Sequence, residues 1–311
     1  EDMAALTLDH KIDISSRALL LLCADNGVVD QGVTQTDYTV TAAVARNAGA
    51  NRSSVCKMAQ VAHCDVIPVD MGMRDPGTIP GVMDRRVGNG THDITEGPAM
   101  SRAQVEQAIV TGASLAADLK GYGRGLIATG EMGIGNTTTS SAVACALLNR
   151  PVAEMTGRGA GLSDKGLERK LWAIETALER SRPNPMDPLD VLSKVGGFDI
   201  AGMCGVYLGG ALYRIPVLMD GFISTVAALC ALRLCPEAGK AMFASHVSAE
   251  PAGQLVLDAL GKRPLITAGM RLGEGTGAVC AIPMLDMALS LYQDGTTFDG
   301  TGIQAYTPQG G

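Results

Sequence analysis

The sequence contains few aromatic residues and few histidines. Aromatic side chains make up 4% of the 311 residues, with a single tryptophan, whereas hydrophobic residues as a whole make up 46%. The core must therefore consist mainly of Ala, Val, Leu, Ile and Met. The four histidines are scattered along the chain, which argues against a dedicated zinc site, and we expect no metal ligands.

Runs of lysine and arginine are also missing, and the net charge is −7. An acidic chain without a basic patch argues against nucleic acid or an anionic membrane as a partner. No apolar stretch approaches the roughly 20 residues that cross a bilayer. The chain begins EDMAAL, without an initiator methionine or a signal-peptide pattern, and we interpret this as a trimmed start.

Paired cysteine motifs are a further absence. The eight cysteines are dispersed through apolar segments, and no two of them form a CxxC pair. Such cysteines are typically small core residues that stay reduced. The cysteine pattern therefore predicts a cytoplasmic protein.

Glycine and alternating apolar segments are what the sequence has in quantity. Short apolar runs that stop at Asp, Gly or Ser predict buried parallel strands, and Ala-rich segments with helical spacing predict the helices between them. With 39 glycines for tight turns, this alternation favours an α/β fold with a doubly wound parallel sheet, in which ligands bind beyond the carboxyl ends of the strands. The predicted strands are residues 17–25, 64–73, 125–133, 215–222 and 242–246, and the clearest helices are residues 101–121 and 167–181.

The loop GEMGIGNTTTSSAV, residues 130–143, predicts an anion-binding site at the start of a helix. Gly133 and Gly135 allow the backbone amides to turn outward, and the threonines at 137–139 add hydroxyl groups. The spacing matches a P-loop, but Asn136 occupies the position of the P-loop lysine. This substitution argues against an ATPase, and a plain turn with a Ser/Thr cap is the structural alternative.

Two other motifs have ordinary interpretations. Ser245 and His246 are adjacent, as in some hydrolases, but the nucleophile-elbow pattern GxSxG is missing. The helical spacing after the turn TGRGAGLSDKG places Arg169 and Lys170 on a solvated face. Neither motif identifies a function by itself.

The stretch MRLGEGTGAV, residues 270–279, places Glu274 between two glycines. The preceding PLITAGM resembles a buried strand, and the following CAIPMLDMAL resembles a helix. Glu274 therefore either caps this helix or takes part in chemistry. An apolar turn raises the pKa of a carboxyl group and makes the carboxylate a better general base.

Seven segments occur in one order between residues 24 and 290: ADNGV, GEMGIGNTTTSSAV, GRGAGL, GGFDIAG, DGFIS, SHVSAEP and RLGEGTGA. Together they resemble the nicotinate-nucleotide:dimethylbenzimidazole phosphoribosyltransferases of cobamide lower-ligand assembly. The resemblance implies transfer of 5-phosphoribosyl from nicotinate mononucleotide to an aromatic lower-ligand base, with release of nicotinate and without a cofactor.

The same resemblance implies a Rossmann-like large domain of residues 15–282. A small helical domain is expected to combine residues 1–14 with residues 283–311. It also implies a two-chain assembly in which the neighbour helps to form each site, either a homodimer or a heterodimer with a paralogue.

The resemblance also implies roles for individual residues. Glu274 corresponds to the catalytic base, and Glu131 to a second acidic residue that stabilises the cationic ribose or assists proton removal. The implied phosphate and ribose contacts are Gly133, Ile134, Gly135, Asn136, Thr137, Thr138, Lys170 and Ser248. The residues implied to hold the acceptor ring are Thr34, Met132, Leu272 and Gly273.

The sequence departs from the family pattern in two places. A Lys-Pro-x-Gly-Ser-Leu-Gly segment that usually precedes residue 1 is missing, so we expect an incomplete small domain. Residues 34–38 read TQTDY in place of Ser-x-aromatic-Pro-Gln, which leaves a benzimidazole, a purine or a phenol open as the acceptor. Because phenol-using relatives combine two paralogous chains, the alternative is a non-catalytic or partner-dependent subunit.

Overall fold

A computed structural model describes residues 1–304, 306 and 307 of the chain. Within these residues, a parallel sheet of six strands forms the centre of the molecule. The strands are β1 (Arg17–Ala24), β2 (Asp65–Gly72), β3 (Met83–Asp84), β4 (Leu126–Met132), β5 (Val217–Met219) and β6 (Met242–Ala244). Their order, β3-β2-β1-β4-β5-β6, is that of a dinucleotide-binding sheet and confirms the predicted doubly wound α/β fold.

Helices cover both faces of this sheet. The first half of the chain contributes α1 (Asp2–Thr7), α2 (Thr39–Gly49), α3 (Ser54–Val61), α4 (Arg102–Gly121), α5 (Asn136–Leu148) and α6 (Val152–Met155). The second half contributes α7 (Asp164–Ser181), α8 (Pro188–Val195), α9 (Phe198–Leu212), α10 (Phe222–Leu234), α11 (Gly253–Leu260), α12 (Thr276–Asp294) and α13 (Phe298–Thr301). Short 3₁₀ helices span Gly27–Gln31 and Pro236–Ala241.

The core forms on both sides of the sheet, which explains why β1 is buried along its whole length. Helices α4, α5, α9 and α10 pack on one face. On the other face, Met3 of α1 and Ile282 of α12 pack with Leu19 and Leu126 of the sheet. The predicted domain boundary after residue 282 falls inside α12, and the division into two domains stays a prediction. Residues 305 and 308–311 of the predicted small domain lie outside the described residues.

A second, smaller sheet carries two of the functional segments. It consists of β7 (His246–Ser248) and β8 (Ile266–Met270), which run parallel. The prediction of a buried strand at β8 is wrong, because residues 267–269 are exposed. Among the described residues, β8 pairs with β7 alone, so it lacks the burial of a central strand.

The topology creates a crevice between β1 and β4. From β1 the sheet continues through β2 in one direction, and from β4 it continues through β5 in the other. Leu22 pairs with Glu131 and Cys23 with Met132, so both strands end at the same level. Ligands of doubly wound folds bind at such a switch point.

Two expectations about composition can be compared with the structure. All eight cysteines are free thiols; six are buried, Cys235 is half-buried and Cys280 is exposed. No helix in the described part of the chain is long and apolar enough to cross a membrane.

Candidate active site

A cavity of about 320 Å³ lies beyond the ends of β4, β5 and β7. The loop that follows β8 forms another of its walls. The structure brings ten of the predicted site residues to this cavity: Glu131, Met132, Gly133, Ile134, Asn136, Thr137, Ser248, Leu272, Gly273 and Glu274.

The other predicted residues lie next to this cavity or behind its wall. Thr34 and Gly135 line a neighbouring cavity of about 210 Å³, which shares the loop of residues 133–137 with the first. Thr138 is fully buried, and Lys170 lies behind Thr137. The predicted acceptor residues are therefore divided, because Thr34 does not face the cavity of Glu274.

The loop after β4 presents the beginning of α5. A Cβ atom at Gly133 would lie 2.5 Å from the carbonyl oxygen of Ala24, so only glycine lets this loop pass so close to β1. Gly135 adopts a left-handed conformation (φ 92°) and is the N-cap of α5. Among the described residues, the amides of Gly135 and Thr137 have no hydrogen-bond acceptor. This open helix terminus suits a phosphate group.

Asn136 joins two buried carboxyl groups where a P-loop has its lysine. Its Nδ2 donates hydrogen bonds to Oε2 of Glu131 and, at 2.9 Å, to Oδ2 of Asp199 at the start of α9. Burial, together with the negative charge of Asp199, raises the pKa of Glu131 to about 8. Burial also raises the pKa of Asp199 to about 6. Glu131 is therefore mainly protonated at neutral pH.

Lys170 is fully buried, so the expectation that it lies on a solvated face is wrong. Its Nζ donates hydrogen bonds to Oγ1 of Thr137 at 2.9 Å and to the carbonyl oxygen of Gly157 at 3.1 Å. The turn of residues 157–161 folds over the amine, and burial lowers the pKa of Lys170 to about 8. Arg169, its neighbour in α7, is exposed and donates to the carbonyl oxygen of Gly32.

The loop after β8 holds Glu274 in an unusual backbone conformation. Gly273, Glu274 and Gly275 are all left-handed, with φ values of 79°, 59° and 83°. For a residue with a side chain, this conformation costs on the order of 1–3 kcal/mol and is typical of functional sites. A Cβ atom at Gly130 would lie 2.8 Å from the carbonyl oxygen of Glu274, so glycine on β4 is what lets the loop rest there.

The carboxyl group of Glu274 is half-buried and incompletely paired. Its Oε2 is buried and has no hydrogen-bond partner in the described part of the chain. Burial raises the pKa of Glu274, and the negative charge of Asp220 raises it further. A carboxylate with these properties and an edge on the cavity can accept a proton from a bound ligand.

Several groups of the site were not assigned a role from the sequence. Asp220 follows β5 and contacts the beginning of α12, Asp199 shares Asn136 with Glu131, and Glu250 lines the cavity with a buried oxygen. The signal available for Asp220 was its place at a strand end. Asp199 and Glu250 lie in the family segments GGFDIAG and SHVSAEP, but no local pattern indicates which site residues they contact.

The family model DBI_PRT, whose description is phosphoribosyltransferase, matches residues 1–303. The chain belongs to this family. The match confirms the resemblance on the seven segments and identifies the chain as a phosphoribosyltransferase.

Relatives of this phosphoribosyltransferase are similar along nearly all of the chain. A nicotinate-nucleotide–dimethylbenzimidazole phosphoribosyltransferase of Ruminiclostridium cellulolyticum is 44% identical over 308 residues, which cover 99% of this chain and 88% of the relative. An enzyme of the same name from Acetivibrio thermocellus is 45% identical over 296 residues, with 95% and 84% covered. The crystal structure of CobT from Thermus thermophilus matches with a TM-score of 0.92 and 37% identity, covering 97% of this chain and 91% of CobT.

Membership in the phosphoribosyltransferase family agrees with the site and not with the alternatives. The ATPase alternative needs a cation where Asn136 donates hydrogen bonds to Glu131 and Asp199. The hydrolase alternative needs an accessible nucleophile, whereas Ser245 is fully buried and hydrogen-bonded to His246. Neither alternative is supported.

Proposed function

We propose that this chain transfers the 5-phosphoribosyl group of nicotinate mononucleotide to an aromatic base that becomes the lower ligand of a cobamide. The products are an α-riboside 5′-phosphate and nicotinate. The observation that carries this proposal is the Glu274 carboxyl group, which lies on the cavity beside the open terminus of α5 with one oxygen unpaired among the described residues. The names of the relatives support the same substrates.

Glu274 is proposed as the general base. Nicotinate mononucleotide already carries a pyridinium at C1′, so its leaving group departs as a neutral ring and requires no proton. The acceptor, in contrast, must lose a proton as its nitrogen or oxygen bonds to C1′. A positioned base with a raised pKa contributes roughly 10²–10⁴-fold to such a step. Attack opposite the leaving nicotinate inverts C1′ and gives the α-riboside.

The loop of residues 133–137 is proposed to bind the phosphate. Its free amides and the dipole of α5 favour an anion, and Lys170 lies 2.9 Å behind the hydroxyl of Thr137. An arriving phosphate would add negative charge beside the amine, which favours the protonated form of Lys170. Ser248 lies across the same cavity, where a ribose hydroxyl fits. This set of groups requires no cofactor.

Glu131 is proposed to act as a neutral hydrogen-bond donor. The two roles implied by the family resemblance, cation stabilisation and proton removal, both require a carboxylate. With a pKa of about 8, the side chain carries a proton at neutral pH. Glu131 can then donate to a hydroxyl of the ribose while Asn136 holds its other oxygen.

A second chain is proposed to complete the site. Leu272, two residues before Glu274, is 61% exposed. An exposed apolar stripe along α12 consists of Met284, Met287 and Leu291. Exposed apolar surface of this kind is typical of interaction sites. The partner is a second copy or a paralogue, and a cytoplasmic location stays a prediction.

The experiment that tests the function is a product assay. The purified chain is incubated with nicotinate mononucleotide and, in separate reactions, with 5,6-dimethylbenzimidazole, adenine, phenol or p-cresol. We expect nicotinate release and a riboside phosphate of the mass of one acceptor, with α configuration by NMR. A reaction without acceptor measures hydrolysis.

The assay also distinguishes the two forms of the proposal. Light scattering gives the oligomeric state of the same preparation. If products form only after co-expression with a paralogue, the chain is a shared-site subunit. Failure to bind nicotinate mononucleotide in calorimetry would contradict both forms.

A further inference from the structure

Asp220 lies between the central sheet and the loop that carries Glu274. It follows β5 and is only 3% exposed. Its Oδ2 accepts a hydrogen bond from the amide of Gly275 at 3.0 Å. Its Oδ1 accepts hydrogen bonds from the amides of Gly277 at 2.8 Å and Ala278 at 3.1 Å. Both carboxylate oxygens are thus used at the beginning of α12.

These hydrogen bonds replace a cap that the helix lacks. The N-cap of α12 is Gly275, which has no side chain to accept a bond from the first amides. Unpaired amides at a helix N-terminus are normally satisfied by a side chain from the N-cap. Here the carboxylate comes from a position 55 residues earlier in the chain.

We infer that Asp220 is the positioning residue for Glu274: by holding the amides of Gly275, Gly277 and Ala278, it keeps the turn in the left-handed conformation that directs the Glu274 side chain to the cavity. This inference rests on the proposed role of Glu274 as base. A left-handed glutamate relaxes unless its surroundings hold it, and Asp220 is bonded to the residue immediately after it.

Asp220 is itself fixed to the core. Its amide donates to Oγ of Ser224 at 3.3 Å. The Ser224 hydroxyl in turn bonds the hydroxyls of Thr129 at 2.6 Å and Tyr207 at 2.8 Å, all of them buried. The loop is therefore connected through Asp220 to buried residues of β4 and α9.

Asp220 also acts on Glu274 by its charge. As a like charge, it disfavours the ionised form of Glu274, raises its pKa and makes it a stronger base. Burial lowers the pKa of His246, 3.9 Å from Asp220, which favours its neutral form. The other ionisable groups on the cavity are Glu131, Glu250 and Arg271, and Asp199 lies behind Asn136.

The test is the variant Asp220→Asn, measured by steady-state kinetics with nicotinate mononucleotide and the best acceptor. Asparagine keeps the shape of the side chain but replaces one oxygen by an NH₂ group. This group cannot accept a hydrogen bond from a backbone amide, so one end of the turn is released. We expect kcat to fall on the order of 10–100-fold, as for displacements of about 1 Å, with an unchanged KM for nicotinate mononucleotide. The acid limb of the kcat profile, which is the fall of kcat at low pH, should move to lower pH because removing the like charge of Asp220 lowers the pKa of Glu274.

Asp70→Asn is the matched control. Asp70 lies near the end of β2 and, like Asp220, is 3% exposed. It also accepts hydrogen bonds from backbone amides, from Gly72 at 2.9 Å and from Met73 at 2.8 Å. It does not line the cavity of Glu274. We expect this variant to keep the wild-type kcat and the wild-type acid limb, even if its melting temperature falls.

A double variant separates positioning from general support. Because Asp220 acts through Glu274, Asp220→Asn should cause no further loss of kcat in a Glu274→Gln background. The same loss in both backgrounds, or wild-type kcat and acid limb in the single variant, would overturn the inference. Wild-type kcat in Glu274→Gln alone would instead contradict the proposed base.

If circular dichroism shows Asp220→Asn to be unfolded, Asp220→Glu replaces it. The charge stays but the side chain is longer, so kcat should fall without a shift of the acid limb. Wild-type kcat in Asp220→Glu would overturn the inference.

Discussion

The loops after β4 and β8 are built alike, but the helices that follow them are capped differently at their N-termini. Glu131 lies near the end of β4, and Glu274 lies in the loop after β8. Each loop then passes through a left-handed glycine, Gly135 or Gly275, into a helix. At α12, the first amides are occupied by Asp220. At α5, no side chain caps the terminus within the described residues. The terminus of α5 is therefore open to an anion, whereas that of α12 is closed.

The carboxyl groups of the two glutamates also differ in whether they have a hydrogen-bond partner. Glu131 is buried at the end of β4, and Asn136 holds its carboxyl group. Glu274 lies in the turn itself, with one oxygen that has no partner in the described part of the chain. A paired and buried acid suits binding, and an unpaired acid at the cavity edge suits proton transfer. We propose that one local motif serves two functions and that contacts from distant segments decide which.

The largest expected effect comes from replacing Glu274 by glutamine, and the same replacement at Glu131 is the comparison. Glu274→Gln should lower kcat at least about 100-fold, within the range of general-base catalysis, with little change in KM for nicotinate mononucleotide. Glu131→Gln should lower kcat less than about tenfold, because the protonated acid and the amide are both neutral and only a neutral hydrogen bond changes. Steady-state kinetics of both variants at neutral pH checks the contrast. Equal losses would remove the distinction between the two loops.

A smaller effect should appear in stability. The pKa of Glu131 rises from 4.5 to about 8 on folding, so the folded chain binds the extra proton, and its stability falls as pH increases across that range. The raised pKa of Asp199 also lowers stability with increasing pH, but only up to about pH 6. The lowered pKa of Lys170 increases stability with pH, but only above about pH 8. Between about pH 6 and pH 8, the wild type should lose at least about 1.4 kcal/mol of its free energy of unfolding, the equivalent of one pKa unit. Glu131→Gln should not show this loss.

Denaturant unfolding of wild type and Glu131→Gln at about pH 6 and pH 8 measures this difference. We expect the stability of the variant relative to wild type to increase with pH. A difference that does not change with pH would mean that Glu131 titrates normally.

Local patterns were sufficient to predict most of the fold. Apolar runs with polar ends predicted β1, β2, β4, β5 and β6, and helical spacing predicted α4 and α7. They did not predict β3, which has two exposed residues and no apolar signal. They also gave β8 the wrong environment, because apolar composition does not reveal how many strands a strand pairs with.

Contiguous segments were sufficient to predict which loops line the cavity. The loops of residues 133–137 and 272–274 meet at one cavity, as expected from their family motifs. The burial of Lys170 was not predictable, because spacing in α7 indicated a solvated face and the covering turn belongs to a different segment. The pairing of Asp199 with Asn136 depends on α9 returning to the sheet 63 residues later. Such contacts arise from the tertiary fold and leave no local pattern.

The most direct test of the central claim is the pH dependence of kcat for wild type and Glu274→Gln between about pH 5 and pH 8, measured as nicotinate release at saturating substrates. The base acts only when it is deprotonated, so wild-type kcat should fall as pH decreases through a pKa above the ordinary value of 4.5. The residual kcat of Glu274→Gln should lack that acid limb. An acid limb of unchanged position and height in Glu274→Gln would contradict the assignment of Glu274 as the base.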